Sequence, residues 1–187
     1  GVDITPTAFF RDSPVWLADP PVQAYIKTCQ ARKTGDSIDP IYLEQVRAAA
    51  LTREAIDAYE KEQYRKAQDL FVRAAESTGG DQLRTYNGLY LTSWKLGEHD
   101  KAAEAFASIV KLGLDSQRFA VKFSFRTGSA DLGFSSSGGG QDEIWLTQIA
   151  KQTAQRDNCL EILGHVNRVG PELLNQRLSA RRAEYIK

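Results

Sequence analysis

The feature that most constrains this chain of 187 residues is an internal repeat. The segment "EQYRKAQDLFVRAAE" lies over "GEHDKAAEAFASIVK". Ala67 then matches Ala102 and Phe71 matches Phe106, each at an offset of 35 (102 − 67; 106 − 71). A small residue lets one helix close on another, and an aromatic four positions on fills the groove beside the contact. Residues 42–112 carry the same helical signature throughout. They are rich in Ala, Glu, Lys, Gln and Leu, with apolar side chains three and four apart. Breaks fall at Thr78, Gly79 and Gly80, and at Gly97.

Ala and Phe on one face of a second helix, after a turn, resemble the tetratricopeptide repeat. Tyr64 and His99 stand where that family places an aromatic in the turn. Gly97 fits its turn glycine, whereas the matching position in the first copy is Glu62, a departure. The likeness covers about residues 51–112 and amounts to two units. A solenoid usually needs three or more, so the helices before Leu51 are expected to cap the pair. One such helix is expected to start at Asp39 and Pro40, with Asp as N-cap and Pro as first helical residue. Another is expected over residues 22–32, with a loop at 34–38. The first 21 residues read as irregular, since Pro6, Pro14, Pro20 and Pro21 interrupt any helix.

Charge excludes one class of function. Twenty-four basic residues balance 24 acidic ones, and a general nucleic-acid binder needs a basic excess against phosphate. A hydrophobic content of 42% is enough for a core. Cys29 and Cys159 are too few for a disulfide framework and have no metal-ligand spacing, although they could pair in an oxidising compartment. No metal site and no cofactor are expected. The lack of methionine suggests a processed or excised piece, and no apolar run reaches membrane-spanning length.

After Ser116 the pattern changes. In "RFAVKFSFRTGSADL", Val121, Phe123 and Phe125 alternate with Lys122 and Ser124, which predicts a strand. "GFSSSGGGQ" reads as a loop. "DEIWLTQIAKQTAQ" is an amphipathic helix with Asp142 as expected N-cap. "CLEILGHV" predicts a second strand, and Pro171 opens a second helix at its first position. The expected fold is therefore a helical region over residues 1–116 followed by a βαβα unit over 117–187.

Strand, "GHVNRVG" and then "NQRLSARRA" resemble the C-terminal peptidoglycan-binding domain of the outer-membrane protein A family. Gly164, His165, Gly170, Asn175, Leu178, Ser179, Arg182 and Ala183 keep that family's spacing over a likeness covering residues 120–187. Two departures stand out. The family carboxylate is Asn167 here, and the family domain continues beyond the point where this chain stops, which implies a truncated copy.

The resemblance implies a ligand, the diaminopimelate of a peptidoglycan stem peptide. It presents an ammonium and a carboxylate on one carbon. Arg182 would take the carboxylate with its planar fork, and Asn167 would accept from the ammonium without the full countercharge. Asn175 shares a helix face with Arg182, and Thr127 and Gly128 could offer backbone amides or equally form a plain strand-ending turn. Asn167 could equally be a plain turn residue, and Arg182 a solvated charge beside Glu184 or Glu172. His165 fits a structural hydrogen-bonding role. No acid–base set is apparent, so an enzyme acting on the wall is disfavoured.

The expected function is that of a non-catalytic envelope protein of a Gram-negative cell. It would sit in the periplasm against the outer membrane, with a lipid anchor possible upstream. It would bind peptidoglycan with one domain and an unidentified protein with the repeats. The alternative is an interaction scaffold whose wall site has decayed through Asn167.

Overall fold

The computed structural model describes residues 8–13, 40–77, 82–117, 119–132, 140–154, 156, 160–166 and 169–187. The chain divides into two compact units, Gly1–Val121 and Lys122–Lys187. The first contains α1 (Ala8–Asp12), α2 (Pro40–Glu60), α3 (Tyr64–Glu76), α4 (Gln82–Lys95) and α5 (His99–Asp115). The second contains α6 (Gln141–Ala154) and α7 (Glu172–Ile186).

In the first unit α2 packs on α3, α4 on α5, and α3 on α4, giving two stacked helical hairpins. The repeated residues make the contacts. Ala67, Phe71, Ala102 and Phe106 have no exposed surface. The repeat extends to the backbone of the turns. Glu62 and Gly97 both take a left-handed conformation, at φ 58° and 74°. The N–H of Glu62 donates to Tyr59 at 2.9 Å and that of Gln63 to Ala58 at 2.9 Å. Thirty-five positions on, Gly97 donates to Trp94 at 3.0 Å and Glu98 to Ser93 at 2.9 Å. These paired bonds satisfy carbonyls that the ends of α2 and α4 leave open. Rings repeat as well: Tyr64 lies 5.3 Å from Tyr59, and His99 lies 4.6 Å from Trp94.

Polar groups join the hairpins. The Glu98 carboxylate accepts from Arg65 at 2.6 Å, from Gln68 at 2.8 Å and from Lys101 at 3.1 Å. Its carboxyl is accordingly held down at about 2, first by the Gln68 bond, then by Arg65 and Lys101. Gln68 is buried and also donates to Ser93 at 3.0 Å.

Residues 22–32 and the loop at 34–38 lie outside the described residues, as does Asp39, while α2 does start at Pro40. The first 21 residues are not wholly irregular, because α1 forms within them. Five residues cannot hold a helix alone. Here the Glu60 carboxylate accepts the N–H of Ala8 at 3.0 Å and of Phe9 at 2.7 Å, and Phe9 is fully buried.

The expected βαβα unit is overturned. Every regular element among the described residues is a helix, and no strand or sheet forms. The alternation at Val121, Phe123 and Phe125 leaves isolated bridge positions, one at Val121 and an antiparallel one between Phe125 and Leu132. Residues 160–166 have no regular structure. Alternation sorts side chains by face, but a strand exists only where a neighbour takes its backbone bonds. Here helices receive the side chains: Phe123 meets Trp145 on α6 at 5.9 Å, and Phe125 meets Tyr185 on α7 at 6.4 Å. The carbonyls of Arg126, Ser129 and His165 go to the Arg182 side chain instead of a ladder. Two helix starts shift, the first by two residues and the second by one. Gly140 precedes α6, so Asp142 lies in its first turn with a carboxyl raised by burial, and Pro171 is the N-cap of α7.

Candidate functional site

The second unit gathers most of the motif. Glu172, Asn175, Gln176 and Ser179 recur three and four apart, so they share a face of α7. Residues 164–166 run along that face. Gly164 is the point of closest approach, since a Cβ there would overlap the backbone carbonyl of Ser179. Gly170, at φ 98°, turns the chain into the helix. Asn175 donates from its side-chain amide to the carbonyl of Val169 at 3.3 Å and so ties helix to turn.

Between these elements lies an open groove of about 430 Å³, lined by Gly164, His165, Gly170, Glu172, Asn175 and Gln176 among others. Glu172 offers an anion, Asn175 and Gln176 offer amides, and Ser179 a hydroxyl. Gln176 donates to Glu172 at 3.2 Å, which orients the carboxylate.

Arg182 stands one turn beyond Ser179 and is not among the groove residues. Its Nε donates to the carbonyl of Ser129 at 2.9 Å, Nη1 to that of His165 at 2.7 Å and Nη2 to that of Arg126 at 3.2 Å. The guanidinium carbon lies 5.1 Å from the centre of the Phe125 ring. A guanidinium has five N–H groups, so one on each terminal nitrogen remains beyond these bonds. The three carbonyl dipoles stabilise the cation, and the cation in turn fixes three separate points of chain.

Thr127 and Gly128 form the exposed tip of the turn that Arg182 grips. The N–H of Ser129 closes it on Arg126 at 3.1 Å, and Gly128 takes φ 72°. Ser129 Oγ donates to Asp131 at 2.6 Å.

The expected site residues thus fall into two adjoining groups. Arg182, Thr127 and Gly128 share one corner, and Asn175 lies in the groove. His165 joins the two, for it lines the groove while its carbonyl holds Arg182. Asn167 lies outside the described residues, as do Cys29 and Cys159. Sequence reasoning passed over Glu172 and Gln176 as groove residues. Counting back from Asn175 in helical steps would have found Glu172, and one position forward gives Gln176.

Among the described residues no three His, Cys, Asp or Glu side chains are grouped to hold a metal ion. No helix among them is long and apolar enough to cross a membrane. No family model matches this chain, and no curated protein or solved structure is found to be similar to it.

Proposed function

We propose that this chain is a non-catalytic adaptor of the cell envelope. It holds the diaminopimelate of a peptidoglycan stem peptide at the groove on α7 and a protein partner on its helical hairpins. The observation that supports the wall-binding half is a convergence. Gly164, His165, Gly170, Asn175 and Ser179 belong to a motif spread over sixteen positions, and they line one groove. Arg182 is bonded to the carbonyl of His165, a groove residue, and keeps one N–H on each terminal nitrogen, the number a carboxylate fork uses. Glu172 supplies a negative charge in the groove for an ammonium.

The test is sedimentation of the full chain with purified sacculi, with and without a competing diaminopimelate stem peptide. Co-sedimentation that the peptide abolishes is the expected result. A chain that stays in the supernatant is not a wall binder.

A second function, an interaction scaffold with a lapsed wall site, is favoured by one observation. Three of the Arg182 donors already serve backbone carbonyls, so the residue has a structural duty that needs no ligand.

A further inference from the structure

In the first unit α1 is seated against α2, α3 and α4. The Phe9 ring lies 5.8 Å from that of Tyr59 on α2 and 6.0 Å from that of Phe71 on α3. Asp12 accepts from the Tyr59 hydroxyl at 3.0 Å and pairs with Lys95 of α4 at 3.5 Å. Ser13 accepts from the Asn87 amide of α4 at 2.8 Å. Glu60 takes the first two N–H groups of α1. The receiving surface therefore reads a short helix by four features: its N-terminal amides, an aromatic, an acid one turn on, and a hydroxyl.

The fit is incomplete at one atom. Ser13 Oγ donates to the carbonyl of Phe9 at 2.6 Å, so only its lone pairs face Asn87, and the amide nitrogen must point at it. The Asn87 carbonyl oxygen is buried with no hydrogen-bond partner among the described residues. A buried acceptor left unmet is destabilising. A fully matched occupant would donate to it.

We propose that this surface of α2, α3 and α4 is the docking site for a short helical segment of a partner protein, of the form aromatic, two residues, acid, then a hydrogen-bond donor, and that α1 occupies it in cis as a competitor. The inference rests on the partner-binding half of the proposed function and names the chemistry of that partner. Cis occupancy lowers the partner's apparent affinity by the fraction of chains in which the site is open. A donor at the fifth position that reaches the Asn87 oxygen lets the partner win over α1.

The probe is a fluorescein-labelled peptide, TAFFRDSP, corresponding to residues 7–14. It is titrated by anisotropy into the full chain, into Asp12→Ala and into Phe9→Ala, each first checked by circular dichroism and a thermal melt. Asp12→Ala removes the contacts of α1 with Tyr59 and Lys95 but keeps the Phe9 packing and the Glu60 and Asn87 bonds, so it opens the site most gently. The peptide should bind the two variants about tenfold tighter than the unaltered chain, which corresponds to about 90% cis occupancy. A peptide with Ala in place of its first Phe should lose that binding. Equal binding of both peptides, or none to either variant, overturns the proposal. So does unfolding of the Asp12→Ala chain, because α1 would then be part of the core and not a removable occupant. Sacculus sedimentation of the same variants reads the wall-binding half separately, so that half can fail while this proposal stands, and the reverse.

Discussion

Phe71 and Gly88 interlock: the Phe71 ring occupies the space in which a Cβ on Gly88 would stand. The ring is confined, because it has no exposed surface and Phe9 stacks on it at 6.0 Å. This contact joins the two hairpins, since Phe71 belongs to α3 and Gly88 to α4. Replacing a helical Gly by Ala ordinarily gains about 1 kcal/mol, whereas overpacking a filled contact costs about 1–3 kcal/mol. Overlap with a confined ring should win. Gly88→Ala is expected to lower the melting temperature, and adding Phe71→Leu should recover part of the loss. A rise in melting temperature for Gly88→Ala alone would mean that the ring has room to move.

The turns make a second prediction. Glu62 holds a left-handed conformation at φ 58°, which costs an L-residue about 1–2 kcal/mol. Glu62→Gly removes that strain but loosens the unfolded chain, returning about 0.5–1 kcal/mol of it. A net gain of about 0.5–1 kcal/mol is expected by urea denaturation. Gly97→Ala is the mirror experiment. Its Cβ would meet nothing within 4 Å, so any loss there comes from the backbone alone. If Glu62→Gly destabilises, the Glu62 side chain has a role that outweighs its strain.

These two positions show what could be read in advance. The repeat at Ala67 and Ala102 marked the helical hairpins, because helix packing is encoded in spacing on one chain segment. The turn at Glu62 was legible only through its alignment with Gly97. The docking of α1 was not legible, since its N-terminal amides depend on Glu60, a carboxylate 51 residues from Phe9. The sheet was misread for a related reason. Val121, Phe123 and Phe125 alternate as strand residues do, yet alternation does not say which group receives the carbonyls. In this chain the carbonyls of Arg126, Ser129 and His165 go to the Arg182 side chain. For the site, the motif spacing brought Asn175 and Arg182 forward, but it gave no sign that the arginine would turn to backbone or that Glu172 would stand in the groove.

Acid should weaken the joint between the hairpins. The Glu98 carboxyl is held at about 2 against an ordinary value of 4.5. A depressed folded-state value means that its contribution is present in full above about pH 4.5 and is lost as pH falls towards about 2. Glu98→Gln keeps a bond to Arg65 possible but removes the charge. Thermal melts of the two chains should therefore differ at pH 6 and converge by about pH 2. A difference that is constant with pH would show that charge at Glu98 contributes nothing.

Arg182 should matter to the second unit before any ligand is added. Arg182→Ala removes three charge-assisted bonds from a half-buried guanidinium, and a single bond of this kind is worth about 1.5–3 kcal/mol. Hydrogen exchange at residues 126–129 and 164–166 should rise at least tenfold. Arg182→Lys should rescue little, because an ammonium cannot reach three carbonyls with a planar fork. Arg181→Ala, at an exposed neighbour, should leave exchange unchanged. If Arg182→Ala leaves exchange unchanged as well, its backbone contacts do not hold the turn in solution.

The anion of the proposed wall site gives the last prediction. The family motif has a carboxylate where this chain has Asn167, while the groove carries Glu172. A neutral hydrogen bond is worth about 0.5–1.5 kcal/mol net and a charged one about 1.5–3 kcal/mol. Asn167→Asp should then strengthen binding of a diaminopimelate stem peptide by about 1–2 kcal/mol, on the order of tenfold. The gain should shrink as salt rises, since the groove is open to solvent. A stem peptide with lysine lacks the side-chain carboxylate and should gain less. Glu172→Gln separates the two acids. If Glu172 meets the ammonium in the unaltered chain, Glu172→Gln weakens binding there but costs less once Asp stands at 167. Calorimetry of both peptides against the four chains measures all of this. If Asn167→Asp improves neither peptide and Glu172→Gln harms neither, no ammonium is held at this groove, and the scaffold function is the one that stands.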